Sequence, residues 1–154
     1  MNGIRVIDPD AVLETGAGRI WTPERNAEAW CQAFAALRGW LEAGTVARLV
    51  VVCGLQGSGK STWIASQEPE AGTVCFDAAL PGARHRAPIV ALARSYGVPV
   101  AAVWIRAPLA LALERNSQCP DDRRVPAESI RSVDRLFEPP GTDEGFVTVR
   151  IVEA

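Results

Sequence analysis

Short apolar runs alternate with stretches of helical periodicity along most of this chain. Compact runs rich in β-branched residues are typical of buried strands, whereas apolar residues recurring every three or four positions indicate amphipathic helices. Their alternation predicts a parallel sheet covered by helices. The predicted strands are residues 5–7, 49–53, 73–76, 98–105 and 146–152, the last at a sheet edge, and the main predicted helices are residues 23–43, 84–96, 109–115 and 126–138.

The predicted helix at residues 23–43 has clear start and stop signals. Thr22 supplies an N-cap, Pro23 suits the first helical position, and Gly44 closes the helix. Its aromatic residues are expected in the core, since aromatic side chains at helical spacing pack in a hydrophobic core more often than they bind a ligand. The predicted apolar face consists of Ala27, Trp30, Phe34, Leu37 and Leu41.

The apolar run at residues 49–53 leads directly into a glycine-rich segment with the pattern G-x-x-x-x-G-K-[ST], the P-loop or Walker A motif. Its glycines let backbone N–H groups point inward at phosphate oxygens. Lys60 is expected to reach the β- and γ-phosphates of ATP or another nucleoside triphosphate, and Ser61 to ligate Mg²⁺. The predicted nucleotide-binding residues here are Gly54, Leu55, Gln56, Gly57, Ser58, Gly59, Lys60, Ser61 and Thr62.

Composition limits the class of protein. With 154 residues, of which 48% are hydrophobic and 22% charged, the chain is predicted to form a single domain over residues 1–154. The sequence has no apolar stretch of membrane-spanning length and no secretory segment, so we expect a cytoplasmic protein without a membrane partner. A net charge of −2 gives no global basic field for nucleic acid. The four cysteines lack zinc-site spacing, and Cys53 and Cys75 are expected in the core.

After the P-loop, a set of short segments follows in a distinctive order. They are Phe76-Asp77-Ala78-Ala79-Leu80, Arg84-His85-Arg86, Leu113-Glu114-Arg115-Asn116, Val125-Pro126, Phe137-Glu138-Pro139-Pro140 and Glu144-Gly145-Phe146. Together they resemble the polynucleotide 5′-hydroxyl kinase family and its small P-loop kinase relatives over about residues 48–152. The resemblance implies an α/β fold of the P-loop NTPase type, a three-layer α/β/α sandwich with a mostly parallel central sheet of about five strands.

The resemblance also implies roles for residues beyond the loop. Asp77 matches the acidic residue that helps to organise Mg²⁺ beside Ser61, and Arg115 matches the arginine of a lid that closes on the ATP phosphates. Family members commonly carry a second arginine four residues further on, where this chain has Cys119. Arg123 and Arg124 are the candidates to replace it.

A family kinase also needs an aspartate that accepts the proton of the attacking hydroxyl. In the family this aspartate lies on a strand after the P-loop helix, but residues 62–73 are too few to supply it. Residues 4–44 resemble the missing piece, which implies a rearranged kinase: residues 1–46 form the acceptor side, and residues 47–154 form the ATP-binding core and lid. Asp10 is then the predicted base and Asp8 the runner-up.

Two alternatives to this assignment stay open. Asp77 can be the base itself, and Asp8 and Asp10 can be simple turn residues beside Pro9. The family's substrate-binding arginine corresponds to Leu13 here, which puts the substrate in doubt. Arg19 and Arg25 are the candidate stand-ins.

Other charged residues have two interpretations each. Arg84 and Arg86 either bind a substrate phosphate or bracket the acidic turn at Asp77, and His85 between them is expected to be a solvated surface residue. The run at residues 121–124 is either a solvated loop or part of the lid.

Three functions fit the sequence. The first is transfer of the ATP γ-phosphoryl group to the 5′-hydroxyl end of a nucleic acid, in which an NTP donor and Mg²⁺ take part. The second keeps the kinase but changes the acceptor to a nucleoside, nucleotide or other small molecule, which suits the acidic pI near 5.5. The third is a regulatory module that binds ATP without transferring phosphate. The sequence indicates no oligomeric state.

Overall fold

The computed structural model describes residues 5–15, 18–19, 22–119 and 124–154. Its strands are β1 (Arg5–Ile7), β2 (Glu14–Thr15), β3 (Gly18–Arg19), β4 (Arg48–Cys53), β5 (Thr73–Asp77), β6 (Val100–Arg106) and β7 (Thr148–Glu153). Its α-helices are α1 (Pro23–Glu42), α2 (Lys60–Ser66), α3 (Ala83–Ser95), α4 (Leu109–Ser117) and α5 (Ala127–Leu136), and short 3-10 helices lie at Pro9–Leu13 and Thr142–Glu144. Among these described helices, none is long and apolar enough to cross a membrane.

Five strands form one sheet in the spatial order β1-β5-β4-β6-β7. Every neighbouring pair in it is parallel. The strand that precedes the P-loop, β4, lies in the centre, while β1 and β7 form the two edges. The α/β class, the parallel sheet of five strands and the edge position of the last strand are thereby confirmed. Because all five strands run the same way, the residues that follow β1, β4 and β5 meet at one edge of the sheet.

Helices cover both faces of this sheet. On one face, α1 and α3 bury residues such as Leu37 and Ile89 against the sheet in the largest core cluster. On the other face, α2 buries Ile64 against Val50 and Val52. Apolar burial on both sides is what holds a fully parallel sheet together, and it explains why β4 is a continuous apolar run.

The helix α1 begins and ends where the sequence predicts. Thr22 Oγ1 accepts a hydrogen bond from Arg25 N at 3.0 Å, and Gly44 takes the left-handed conformation with φ +73°. The Trp30 ring packs on Phe76 with ring centroids 5.8 Å apart. Trp30 and Phe34 therefore pack against the core on the side that the sequence predicts, and each is partly buried. The buried positions of α1 are Ala29, Ala33, Leu37 and Leu41.

The prediction for Ala27 is wrong, because this residue is exposed. The buried face of α1 steps through residues 29, 33, 37 and 41, which places position 27 on the solvent side. The aromatic side chains of Trp30 and Phe34 reach the core from the border of that face. A prediction that includes them therefore places the apolar face part of a helical turn away from its true position.

Arg86 of α3 is completely buried and lies away from solvent. Its Nε and Nη2 donate to the two carboxylate oxygens of Glu144 at 2.8 and 3.0 Å. Its Nη1 donates to Leu80 O at 2.8 Å, and Nη2 also donates to Glu138 O at 2.9 Å. Of the two interpretations of Arg86, binding of a substrate phosphate is wrong, since all of these donor groups are used inside the fold.

The two neighbours of Arg86 point to solvent. Arg84 and His85 are exposed, as predicted for His85. His85 Nδ1 nevertheless accepts a hydrogen bond from Gly82 N at 3.0 Å and so caps the start of α3. Partial burial, followed by the positive charges of Arg84 and Arg86, lowers the pKa of His85. The neutral ring that accepts this hydrogen bond is thereby favoured.

Cys53 and Cys75 are buried in the core, which confirms their prediction. Burial raises the pKa of each thiol to about 11. Both side chains therefore stay protonated at neutral pH and act as small apolar groups.

Candidate active site

The P-loop follows directly on β4, as the sequence predicts, and it ends at the start of α2. Its glycines have positive φ values, +146° at Gly54, +82° at Gly57 and +104° at Gly59. A Cβ atom at Gly57 would lie 2.5 Å from Ala112 O, and one at Gly54 would lie 2.5 Å from Ile105 O. Only glycine fits both positions, because a side chain would strain the backbone and collide with neighbouring carbonyls.

Lys60 is nearly buried at the start of α2. Its Nζ atom donates to Gly54 O at 3.2 Å and to Leu55 O at 3.0 Å. These carbonyl groups hold the ammonium group within the curl of the loop. A phosphate oxygen approaching the loop would meet a positive charge that is already positioned.

Ser61 and Asp77 form a hydrogen-bonded side-chain pair at the site. Ser61 Oγ donates to Asp77 Oδ2 at 2.7 Å, although the two residues lie on different elements, α2 and the end of β5. Asp77 is buried, with 4% of its surface exposed.

This pair fits Mg²⁺. A hydroxyl and a carboxylate are hard oxygen donors, and protein sites for Mg²⁺ usually supply one or two carboxylates while phosphates and water complete the octahedron. Within the described residues there is no group of three or more His, Cys, Asp or Glu side chains that could hold a metal ion. One hydroxyl and one carboxylate leave the other coordination positions of Mg²⁺ to nucleotide phosphates and water.

The strand β1 brings two further aspartates to the same place. It pairs with β5 in parallel register, with Ile7 opposite Phe76, so the chain leaves β1 beside Asp77. Asp8 and Asp10 then line a cavity of about 530 Å³, hereafter the phosphate cavity. Its other described lining residues are Ala11, Gln56, Gly57, Gly59, Lys60, Ser61, Thr62, Asp77, Ala78, Arg115, Asn116 and Cys119.

The two aspartates have different surroundings. Burial, followed by the negative charges of Asp77 and Asp10, raises the pKa of Asp8 to about 6. A hydrogen bond of 3.0 Å from Asp10 N to Asp8 Oδ1, together with the charge of Lys60, opposes this rise. Asp8 therefore titrates close to neutral pH in the absence of a ligand, as a carboxylate used for proton transfer would.

Arg115 lies on α4 and also lines the phosphate cavity. Its Nη1 donates to Ser58 O at 3.0 Å, which attaches the guanidinium to the P-loop. Cys119 lines the cavity one helical turn further on, and its Sγ donates to Arg115 O at 3.3 Å. Arg124 Nη2 donates to Cys119 O at 2.8 Å, and Arg123 lies outside the described residues.

Not every predicted loop residue faces the phosphate cavity. Leu55 is buried and packs with Ala112 and Ile130. The Ser58 hydroxyl is buried without a hydrogen-bond partner. Gly54, Leu55 and Ser58 contribute to the loop through the backbone and its packing, while Gln56, Gly57, Gly59, Lys60, Ser61 and Thr62 line the cavity itself. The side chain of Leu13 and that of Arg19 lie outside the described residues.

Asn116 is a site residue whose role the sequence did not assign. It is buried, and its amide makes two hydrogen bonds to Val125: Nδ2 donates to Val125 O at 2.7 Å, and Oδ1 accepts from Val125 N at 3.0 Å. These bonds join the two ends of the segment in which the lid was predicted. Its position directly after Arg115 was the signal available in the sequence.

The comparison with known protein families covers the part of the chain that follows the P-loop. A family model described as "AAA domain" matches residues 67–140, just under half of the chain. No curated protein matches the chain. The match, the parallel sheet and the P-loop support a nucleotide-binding domain of the P-loop NTPase and kinase type. ATP-dependent kinases, which use an NTP donor, are one class of such domains.

Proposed function

We propose that this protein is a kinase that transfers the γ-phosphoryl group of ATP to a hydroxyl group. The observation that carries the proposal is that two carboxylates from β1 and its following turn, Asp8 and Asp10, line one cavity with Lys60 and the Ser61–Asp77 pair. A site that only bound nucleotide would need the loop and the metal ligands, but it would not need titratable carboxylates beside them. The rearranged chain order predicted from the sequence is part of this proposal.

The chain's own groups divide the work of transfer. Lys60 would bind the β- and γ-phosphates, and Arg115 would approach them from α4 as charge spreads in the transition state. Mg²⁺, when bound by Ser61 and Asp77, would supply charge neutralisation at those phosphates. The hydroxyl oxygen of the acceptor forms a bond to the γ-phosphorus while the bond to the bridging oxygen breaks, leaving ADP, and the hydroxyl proton passes to a carboxylate.

For that carboxylate we favour Asp8, with Asp10 as the second candidate. The sequence ranked them in the reverse order. A general base works best with a pKa near the operating pH, and the pKa of Asp8 is raised to about 6. Asp77 is less suitable because Ser61 already donates to its carboxylate.

Two kinds of acceptor are candidates for this site. The sequence resemblance favours a 5′-hydroxyl end of DNA or RNA. The cavity favours a small molecule, because the cationic residues among its described lining, Lys60 and Arg115, both lie at the P-loop, where they would bind the donor.

The proposal is tested with γ-labelled ATP, Mg²⁺ and a panel of 5′-hydroxyl DNA, 5′-hydroxyl RNA, nucleosides and nucleotides. Label should appear on an acceptor, and Lys60→Ala should lower turnover on the order of 10²-fold or more while the protein stays folded. Asp8→Asn should retain ATP binding and lose transfer, by about 10²-fold or more.

Asp134→Asn provides the matched control, since Asp134 is an exposed residue of α5 that does not line the phosphate cavity. Its turnover should equal that of the unmodified protein. ATP binding without any Lys60-dependent turnover would reject the kinase proposal in favour of a regulatory module. A normal rate for Asp8→Asn with loss for Asp10→Asn would return the base role to Asp10.

A further inference from the structure

A second cavity, of about 380 Å³, opens between the edge strand β1 and the helix α2. We call it the β1–α2 groove. Its walls are Val6 of β1, Ile64 and Ala65 of α2, and Gln67 and Pro69 of the loop that follows. The groove is open because α2 has only seven residues and α1 packs on the opposite face of the sheet, which leaves Val6 42% exposed.

The groove meets the phosphate cavity at the carboxylates. Asp8, Ser61 and Asp77 line both cavities. A phosphoryl acceptor has to reach the γ-phosphate from a side that the nucleotide does not occupy, with its hydroxyl within reach of a base. The shared boundary provides this arrangement, since Gly57, Gly59 and Lys60 of the P-loop line only the phosphate cavity and Asp8 lines both cavities.

The walls of the groove determine which acceptor suits it. Val6, Ile64, Ala65 and Pro69 offer apolar contact. The Gln67 amide is fixed by a hydrogen bond of 3.1 Å from its Nε2 to Trp63 O. Among the described residues that line the groove none is cationic, and two, Asp8 and Asp77, are acidic. A phosphate on the acceptor would lie near these carboxylates with no cationic side chain of the described groove lining to bind it, whereas an apolar ring would be buried favourably.

We propose that the β1–α2 groove is the acceptor site and that its acceptor is an uncharged organic alcohol of about nucleoside size. This inference rests on the proposed kinase function and narrows its acceptor. The volume supports the size, since small-molecule pockets range from about 300 to 1,000 Å³ and this groove lies at the lower end. The phosphate-bearing nucleic-acid end implied by the sequence resemblance becomes the alternative outcome of the test.

The decisive comparison uses two acceptors that present the same 5′-hydroxyl. Thymidine is uncharged, and thymidine 3′-monophosphate differs from it by one phosphate group. These are measured with γ-labelled ATP beside uncharged monosaccharides, aromatic alcohols and a 5′-hydroxyl oligonucleotide. We expect an uncharged alcohol to be the preferred acceptor, with kcat/KM at least about tenfold above that of any phosphate-bearing acceptor.

Each other result has a separate meaning. Preference for thymidine 3′-monophosphate or for the oligonucleotide would overturn the inference and keep the kinase. Lys60-dependent ATP hydrolysis without label on any uncharged alcohol would also overturn it. Absence of Lys60-dependent turnover with every acceptor, water included, would reject the kinase proposal itself, and the inference with it.

The groove is tested directly by filling it. Ala65 is an exposed residue of α2 that lines the groove and not the phosphate cavity, so Ala65→Phe should raise KM for the accepted alcohol at least about tenfold more than KM for ATP. Ala36→Phe makes the same substitution at an exposed position of α1 and should change neither value. Equal acceptor KM values for the two variants would place the acceptor elsewhere.

Discussion

Arg86→Ala should be among the most destabilising single substitutions in this protein. The buried guanidinium is paired with Glu144 and also donates to two backbone carbonyls, Leu80 O and Glu138 O. Removing it leaves Glu144, whose side chain is 12% exposed, without its ion-pair partner. Both carbonyl oxygens lose a donor as well, and a cavity opens between α3 and the segment that joins α5 to β7.

The expected loss is about 3–5 kcal/mol, which is the usual cost of breaking one side of a buried ion pair. This is a large share of a typical domain stability of about 5–15 kcal/mol. For a chain of this length it corresponds to a fall in Tm on the order of 10 °C. Arg86→Lys should lie between the two proteins, because lysine keeps the charge but cannot form the same fork of hydrogen bonds.

Urea unfolding followed by circular dichroism measures the difference. Arg84→Ala is the control, since Arg84 lies two residues away on α3 and is exposed. It should change the free energy of unfolding by less than about 0.5 kcal/mol. A loss below about 1 kcal/mol for Arg86→Ala would show that the carboxylate and carbonyls find water or other donors, and it would refute the reasoning.

Two further predictions concern the candidate site. Arg115→Ala should lower kcat by about 10²-fold or more and change KM for ATP less, because the guanidinium is expected to act mainly on the transition state. Steady-state kinetics measure both values. An unchanged kcat would make Arg115 a structural residue that is hydrogen-bonded to Ser58. The Tm of Asp8→Asn minus the Tm of the unmodified protein should increase as the pH rises from 4 to 7.5 in a chelating buffer. In the unmodified protein the folded-state pKa of Asp8 is raised to about 6, so its contribution to stability is present below the unfolded pKa and is lost as the pH rises through 6. The asparagine variant has no carboxyl group at this position and does not undergo this loss. Identical Tm profiles against pH for the two proteins would contradict the raised pKa.

Local features of the site could be predicted from the sequence because neighbouring residues determine them. The P-loop is a continuous segment whose positive φ values are available to its glycines, so its shape follows from Gly54, Gly57 and Gly59 themselves. The N-cap at Thr22 depends on residues within one helical turn. The strands β4 and β5 are apolar enough to be identified as buried on both faces.

Predictions that depended on which face a residue occupies were less secure. Arg84 and Arg86 had the same interpretation in the sequence, yet one is exposed and the other is completely buried. The partner that explains the difference, Glu144, lies 58 residues further along the chain, and no local pattern links it to Arg86. The assignment of Ala27 to the core failed for a related reason, since the buried side of α1 is decided by the sheet that it packs on.

Local residue patterns were enough to predict the five strands of the main sheet, the longer helices, the phosphate-binding loop and the candidate acidic residues. The tertiary structure decided which of them meet. Asp8 lies beside Asp77 because β1, the first strand of the described chain, pairs with β5 rather than with a strand next to it in sequence. Likewise, the β1–α2 groove exists because a short helix and an edge strand leave a gap that neither segment encodes alone. Strand order is set by the total burial and hydrogen bonding of the whole sheet, and a local pattern of residues does not contain that information.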